Sequence, residues 1–180
     1  MQSENFETKE LKLLKHLGNL RKMMVNNHEL DNLSEFVLHD LCKPECFNLN
    51  KAAYFVNNPD FRCLQGMSGY HNQELAHISN DSWSDSKKFI ATMQNSSFNQ
   101  QVRKNSMVNF EKGKSSELYT AQKLADDLEI HNPLYFVWDL KYANHGLFIY
   151  ESPKEEDLHV KQHLFDSLHH FSFCPIYSKA

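Results

Sequence analysis

Leu134-Tyr135-Phe136-Val137-Trp138-Asp139-Leu140-Lys141-Tyr142, read with the Asn144-His145-Gly146 and Leu147-Phe148-Ile149-Tyr150 that follow, decides the fold class. Leu134, Phe136, Trp138, Leu140 and Tyr142 alternate with Tyr135, Val137, Asp139 and Lys141. A period of two sends successive side chains to opposite faces of a strand. Asn-His-Gly supplies turn residues and Leu147 to Tyr150 returns, so the stretch predicts an antiparallel hairpin.

On the N-terminal side of that hairpin, Leu118, Ala121, Ala125 and Leu128 keep a 3-4-3 spacing, which predicts a helix over Ser116–Ile130. On the C-terminal side, Ser152-Pro153-Lys154-Glu155 combines an N-cap serine, a first-turn proline and a capping-box glutamate. It predicts a helix to about His169, with Leu158, Val160, Leu164, Phe165 and Leu168 inward, and Phe171–Tyr177 as a last strand or tail. Further back, Ala52–Val56, the cluster Asn57-Asn58-Pro59-Asp60 and Phe61–Tyr70 read as strand, turn, strand. A short helix follows from about Asp85 to Gln94, and polar, aperiodic Asn95–Ser115 reads as a long loop. Two helices open the chain. Leu13, Leu17, Leu20 and Met24 mark the face of the first; Asn32 and Glu35 start the second, and Pro44 stops it. Long helices alternating with antiparallel hairpins give an α+β class, in one domain over 1–180.

The chain has 180 residues, and at that length folding removes roughly 70% of the unfolded surface from water. Thirteen Phe, seven Tyr and two Trp supply the core. A net charge of -4 without a clustered basic excess argues against a nucleic-acid partner. Lys9, Lys12, Lys15, Arg21 and Lys22 make the first helix basic, which reads as a solvated face, or alternatively as a docking face. Met1–Glu10 is polar and acidic, unlike a signal peptide, and no apolar run reaches the ~18 residues of a membrane helix. The expectation is a cytoplasmic protein, without a membrane partner, whose four cysteines are thiols.

Two stretches together resemble the GAF fold. Leu33–Tyr70 resembles the family's opening: a helix, a short break, an apolar strand and its hairpin partner. Ser116–Phe171 resembles its second half, with Ala121-Gln122-Lys123-Leu124-Ala125-Asp126-Asp127-Leu128-Glu129-Ile130 before the strand Pro133–Leu140, a turn with Gly146, the strand Leu147–Tyr150 and a closing helix. The resemblance implies an antiparallel sheet with terminal helices on one face, a small-molecule pocket on the other, and a homodimer through the terminal helices. LuxR-type autoinducer-binding domains are similar in layout, but their Trp/Tyr/Asp-Pro pattern is missing. Asn50-Lys51 is similar to the start of the cyclic-nucleotide GAF signature, but no Phe-x-x-x-Asp-Glu follows, which argues against a cyclic nucleotide. The cysteine motifs of the GAF-like methionine sulfoxide reductases are also missing.

The candidate ligand-binding residues under that reading are Tyr54, Cys63, Gln65, Phe136, Trp138, Asp139, Phe148 and Tyr150. Aromatic strand residues are as readily core as pocket lining, and the parity that faces a pocket stays open at this point. Asn95–Ser115 is then a mobile lid, and Asp139 with Lys141 orients a polar ligand from the hairpin tip.

Other chemistry is thinner. His39, Cys42, Cys46, Cys63 and His71 are residue types that zinc accepts, although Cys63 and His71 are not a tight pair and His39 is expected to face away from the core. His159, His163, Asp166 and His170 recur at 0, 4, 7 and 11 along the last helix, a stripe expected to face water. Gly66-Met67-Ser68-Gly69 is one residue short of a nucleophile elbow, and Cys63 with His145 and Asp139 is a conceivable thiol site. No phosphate-binding glycine loop is present, and no cofactor follows from the sequence. Three readings result: a ligand-binding regulatory module, an interaction protein with a solid core that docks through its basic first or His-rich last helix, and a metal or thiol enzyme.

Overall fold

The computed structural model describes residues 2–58, 63–78, 81–108, 114–152 and 158–176. Five strands form one antiparallel sheet: β1 Lys51–Asn58, β2 Cys63–His71, β3 Ser106–Val108, β4 Leu134–Asp139 and β5 His145–Glu151. Their order is β3-β2-β1-β5-β4. The two hairpins foreseen in the sequence meet along β1, where Lys51 lies opposite both His71 and Glu151. Around the sheet, among the described residues, run α1 Gln2–Asn26, α2 Leu33–Cys42, α3 Asn72–Leu75, α4 Ser86–Asn95, α5 Ser97–Lys104, α6 Lys114–Asp127 and α7 Leu158–Leu168, the last continued by a 3-10 turn over His169–Phe173.

Strand parity divides the core in two. Ala52, Tyr54, Val56, Tyr70, Trp138, Phe148 and Tyr150 pack with α1, α2, α4, α7 and Phe171. Ala53, Phe55, Leu64, Leu147 and Ile149 pack with Phe98 and Val102 of α5 and with Ala121, Leu124, Ala125 and Leu128 at α6. The terminal helices therefore share one face of the sheet.

Local chemistry sets the helix ends. The Asp85 side chain accepts the Lys88 N–H at 3.1 Å and starts α4, and the Ser96 hydroxyl accepts the Asn99 N–H at 3.1 Å and starts α5. α2 ends at Lys43, whose extended backbone (φ -64°, ψ 160°) is what a following proline imposes. Asn32 precedes α2 as foreseen, but its side chain donates to Glu35 Oε2 at 2.8 Å rather than capping the backbone.

Several expectations are corrected. Much of the predicted loop and lid Asn95–Ser115 is α5 and β3; residues 109–113 lie outside the described set. α5 buries Phe98, Asn99 and Val102, and a buried polar Asn99 hides the helical period. Leu118 is 56% exposed, and α6 turns Leu124 inward with Ala121 and Ala125 instead. Leu158, expected inward, is 79% exposed. The capping box of α7 falls on 153–157, outside the described residues, and Phe171 belongs to the 3-10 turn rather than a strand. The β4–β5 connection is a short 3-10 turn, Lys141–Ala143, in which Tyr142 (φ 60°) and Ala143 (φ 56°) take the left-handed conformation. Gly146 already belongs to β5 and makes room for the Trp138 ring, which a Cβ there would strike.

Candidate functional site

The eight candidate ligand-binding residues fall in three places. Five of them are aromatic rings on the face that the terminal helices cover. Tyr54 stacks on Phe171 at 4.1 Å and on Trp138 at 5.8 Å. Phe136 stacks on Tyr150 at 5.8 Å and touches Phe165 of α7 at 5.2 Å. Phe148 packs at 5.5 Å from Tyr150. Tyr54, Phe148 and Tyr150 are 0–2% exposed, so these rings are the floor of the helical layer.

Cys63 and Gln65 stand on β2 opposite Val108 and Ser106 of β3, and the Gln65 amide donates to the Arg103 carbonyl at 2.9 Å. Asp139 is exposed at the end of β4, with Oδ1 3.0 Å from Nδ1 of His145. Lys141 turns its ammonium over Phe173, 5.6 Å from the ring centre.

Among the described residues, a concave surface lies at the rim of the helical layer. A cleft of about 530 Å³ between α1 and the end of α7 is lined by Arg21, Met24, Val25, His28, Leu33, Asp166, His169, His170 and Phe173. Arg21 Nε donates to His170 Nε2 at 3.1 Å, and His170 Nδ1 faces the Ser167 carbonyl. With one ring nitrogen accepting from Arg21, the other is the donor to Ser167, and the imidazole is neutral. Burial lowers the His170 pKa; the Ser167 bond opposes this, and the Arg21 charge adds to it. A second cavity of about 620 Å³ shares His28 and Phe173 with the cleft and runs on past Leu140, Tyr142 and Ile176. Phe173, 70% exposed, stands between the two. Sequence reasoning missed this cleft because it treated the His stripe as wholly solvated. His170 is 5% exposed, and its place two residues beyond the buried Leu168 and next to Phe171 was the available signal.

A third cavity, about 330 Å³, is lined by His39, Lys43 and Tyr70 among others. His39 is buried, contrary to expectation, because α2 is enclosed on all sides. Its Nδ1 has no hydrogen-bond partner among the described residues, and burial pushes its pKa down to about 4. Beside it the Lys43 ammonium bonds Asp40 Oδ1 at 2.7 Å, and Trp83 Nε1 donates to Asp40 Oδ2 at 2.9 Å.

Burial raises the pKa of the Cys42, Cys46 and Cys174 thiols and keeps them protonated. Among the described residues, no three His, Cys, Asp or Glu side chains converge as metal ligands. His71 sits 3.7 Å from Glu74, and His163 sits 3.0 Å from Glu10 of α1. Gly66 and Gly69 are contact points for α5: a Cβ at Gly66 would strike the Val102 carbonyl, and one at Gly69 would lie 2.7 Å from Val102 Cγ2. Asn99 completes that contact. Its Oδ1 accepts the Gly69 N–H at 2.8 Å, and its Nδ2 donates to buried Glu35 at 2.9 Å.

No described helix is long and apolar enough to cross a membrane. Comparison with known proteins finds no matching family model, no matching curated protein and no matching solved structure.

Proposed function

We propose that the protein is a non-catalytic regulatory module of GAF-like layout that holds an amphipathic small molecule, with a carboxylate or similar anionic head, in the cleft between α1 and α7. The cleft carries this reading. Met24, Val25, Leu33 and Phe173 give it apolar walls, and Arg21 brings one fixed positive charge beside a neutral His170. An apolar concavity with a few convergent polar groups is the usual form of a small-ligand site. A guanidinium receives a carboxylate through parallel N–H bonds. Helix pair, hairpin, helices, hairpin and closing helix, with the terminal helices on one sheet face, support the GAF-like layout. The pocket moves from the sheet to the rim of the helical layer, because the strand aromatics are spent on packing.

Decanoate, decanol and decyltrimethylammonium distinguish head-group chemistry at constant chain length. Native mass spectrometry and thermal shift are expected to show one decanoate per chain and a raised Tm, with the cation inert. Arg21→Gln should weaken decanoate by about tenfold or more, the loss of a hydrogen bond to a charged group. Val25→Trp, at an exposed wall position, should block the cleft without unfolding the chain. Equal behaviour of the three probes, or no binding at about 1 mM, only ~4 kcal/mol of affinity, overturns the reading.

A further inference from the structure

α1 carries two apolar stripes. Leu13, Leu17, Leu20 and Met24 are buried against the body of the protein. Roughly 120° around the helix, by 100° steps, lie Leu11, Leu14, Gly18 and Val25. Leu11, Leu14 and Val25 are 53%, 47% and 71% exposed. A Cβ on Gly18 would meet nothing within 4 Å among the described residues, which leave the middle of this second stripe open. Its borders have one sign. Lys15 and Lys22 flank it on one side, with Lys12 beyond them, and Arg21 flanks it on the other. The one acid between Lys9 and Lys22, Glu10, is turned away to His163 of α7 at 3.0 Å. On a chain of net charge -4 this is a local reversal of sign.

We propose that this face docks an acidic amphipathic helix of a partner protein, its apolar residues seated on Leu11, Leu14 and Val25, its backbone drawn close at Gly18, and its carboxylates set against Lys15 and Lys22. Helix-on-helix docking of this kind reads as anchors at i, i+3, i+7 with flanking charge that selects the partner. Charge complementarity decides the occupant. A second copy of this chain would lay Lys15 and Lys22 against their own like charges. An anionic bilayer would satisfy the lysines, but the stripe has three large apolar side chains and no aromatic anchor for the interface. The face shares Val25 and Arg21 with the cleft, but Leu11, Leu14, Lys15 and Lys22 do not line it, so changes at those four test the docking face separately.

The test titrates the full chain into three fluorescein-labelled synthetic helices of three heptads. One has leucine at the core positions and glutamate beside them, one has lysine in place of glutamate, and one has serine in place of leucine. Fluorescence anisotropy should show the Glu/Leu peptide binding at least about tenfold tighter than the Lys/Leu peptide, a difference of ~1.4 kcal/mol. The serine peptide should not bind, and about 0.5 M salt should weaken the Glu/Leu complex by screening the border charges. Leu14→Glu should abolish binding while far-UV circular dichroism and decanoate binding stay unchanged, which separates failure here from failure of the cleft. Lys15→Glu with Lys22→Glu should invert the preference toward the Lys/Leu peptide. The proposal is overturned by equal affinity for the two charged peptides, or by a preference that survives the double reversal. A sedimenting dimer that Leu14→Glu dissolves would hand the face to a second copy. Capture by phosphatidylserine vesicles without peptide binding would hand it to a membrane.

Discussion

On β5, Phe148 and Tyr150 turn one way and Leu147 and Ile149 the other, and the two directions lead to different cores. Toward the terminal helices the sheet is aromatic. Rings stack on rings, and polar groups are caught among them: His39, Asp40 and Lys43, with Trp138 Nε1 and Ser68 Oγ lacking a hydrogen-bond partner among the described residues. Toward α5 and α6 it is aliphatic and small, with Ala53, Ala121 and Ala125 in the layer. On β2, Gly66 and Gly69 let a helix backbone come close. Large flat rings fill a layer centre well but fit its margins poorly, whereas small side chains let helices settle until little space remains. The cavities beside His39 and His170 border the aromatic face. The difference between the faces thus separates a layer that provides concave sites from one that provides rigidity.

The largest effect that tests this division is the removal of one ring. Phe148→Ala, at a site 0% exposed, should cost about 3–5 kcal/mol in urea unfolding. Ile149→Ala on the opposite face should sit toward the low end of the ~2–5 kcal/mol range for aliphatic truncation, because neighbouring alanines can close up. Equal costs for the two would show that the faces carry equal weight.

Next in size is a pH effect confined to the aromatic face. His39 binds a proton near pH 4 when folded, against about 6.5 in the unfolded chain. Between those values the unfolded chain holds the extra proton, so stability falls as pH drops from about 6.5 to 4 and changes no further below that. The full loss is on the order of 3 kcal/mol, a bound set by the shift. Burial of His170 acts in the same direction. His39→Leu should flatten the unfolding free energy between pH 6.5 and 4. A slope that persists unchanged in the variant would remove His39 as its source.

The smallest effect tests the close approach at β2. Gly69→Ala puts a Cβ 2.7 Å from Val102 Cγ2 and 3.1 Å from Phe98 Cδ1. An overpacking cost of about 1–3 kcal/mol is expected, toward the lower end if Val102 changes rotamer. Unchanged stability would mean that α5 sits more loosely on the sheet than the geometry indicates.

What the sequence disclosed follows from how much of each element's pattern was apolar. The hairpins were legible because β4 and β5 are unbroken apolar and aromatic runs separated by turn residues, and α1 because Leu13, Leu17, Leu20 and Met24 hold one face. α5 was not, because its inward face includes Asn99, whose partners, Gly69 and Glu35, are distant in the chain. A buried amide looks like a loop residue until its partners are known. The face given to the strand aromatics was also hidden. Alternation tells which residues share a face but not what covers it, and the cover here is Phe171, far along the chain. The cleft lay beyond reach for a similar reason, since it joins α1 to the end of α7 through one hydrogen bond between Arg21 and His170.

The place of β1 between β2 and β5 sets the order in which the chain can acquire its structure. The β1–β2 hairpin joins near neighbours, but the other edge of β1 is satisfied only when Lys51 to Asn57 meets His145 to Glu151. During synthesis the centre of the sheet must therefore wait for residues 145–151 to emerge, with the Ala52–Val56 edge unsatisfied in the meantime. Pairings so remote are slow to close, and they leave a sticky strand exposed while they do. Yield from a cell should thus depend more on what shields nascent β1 than on the stability of the finished fold.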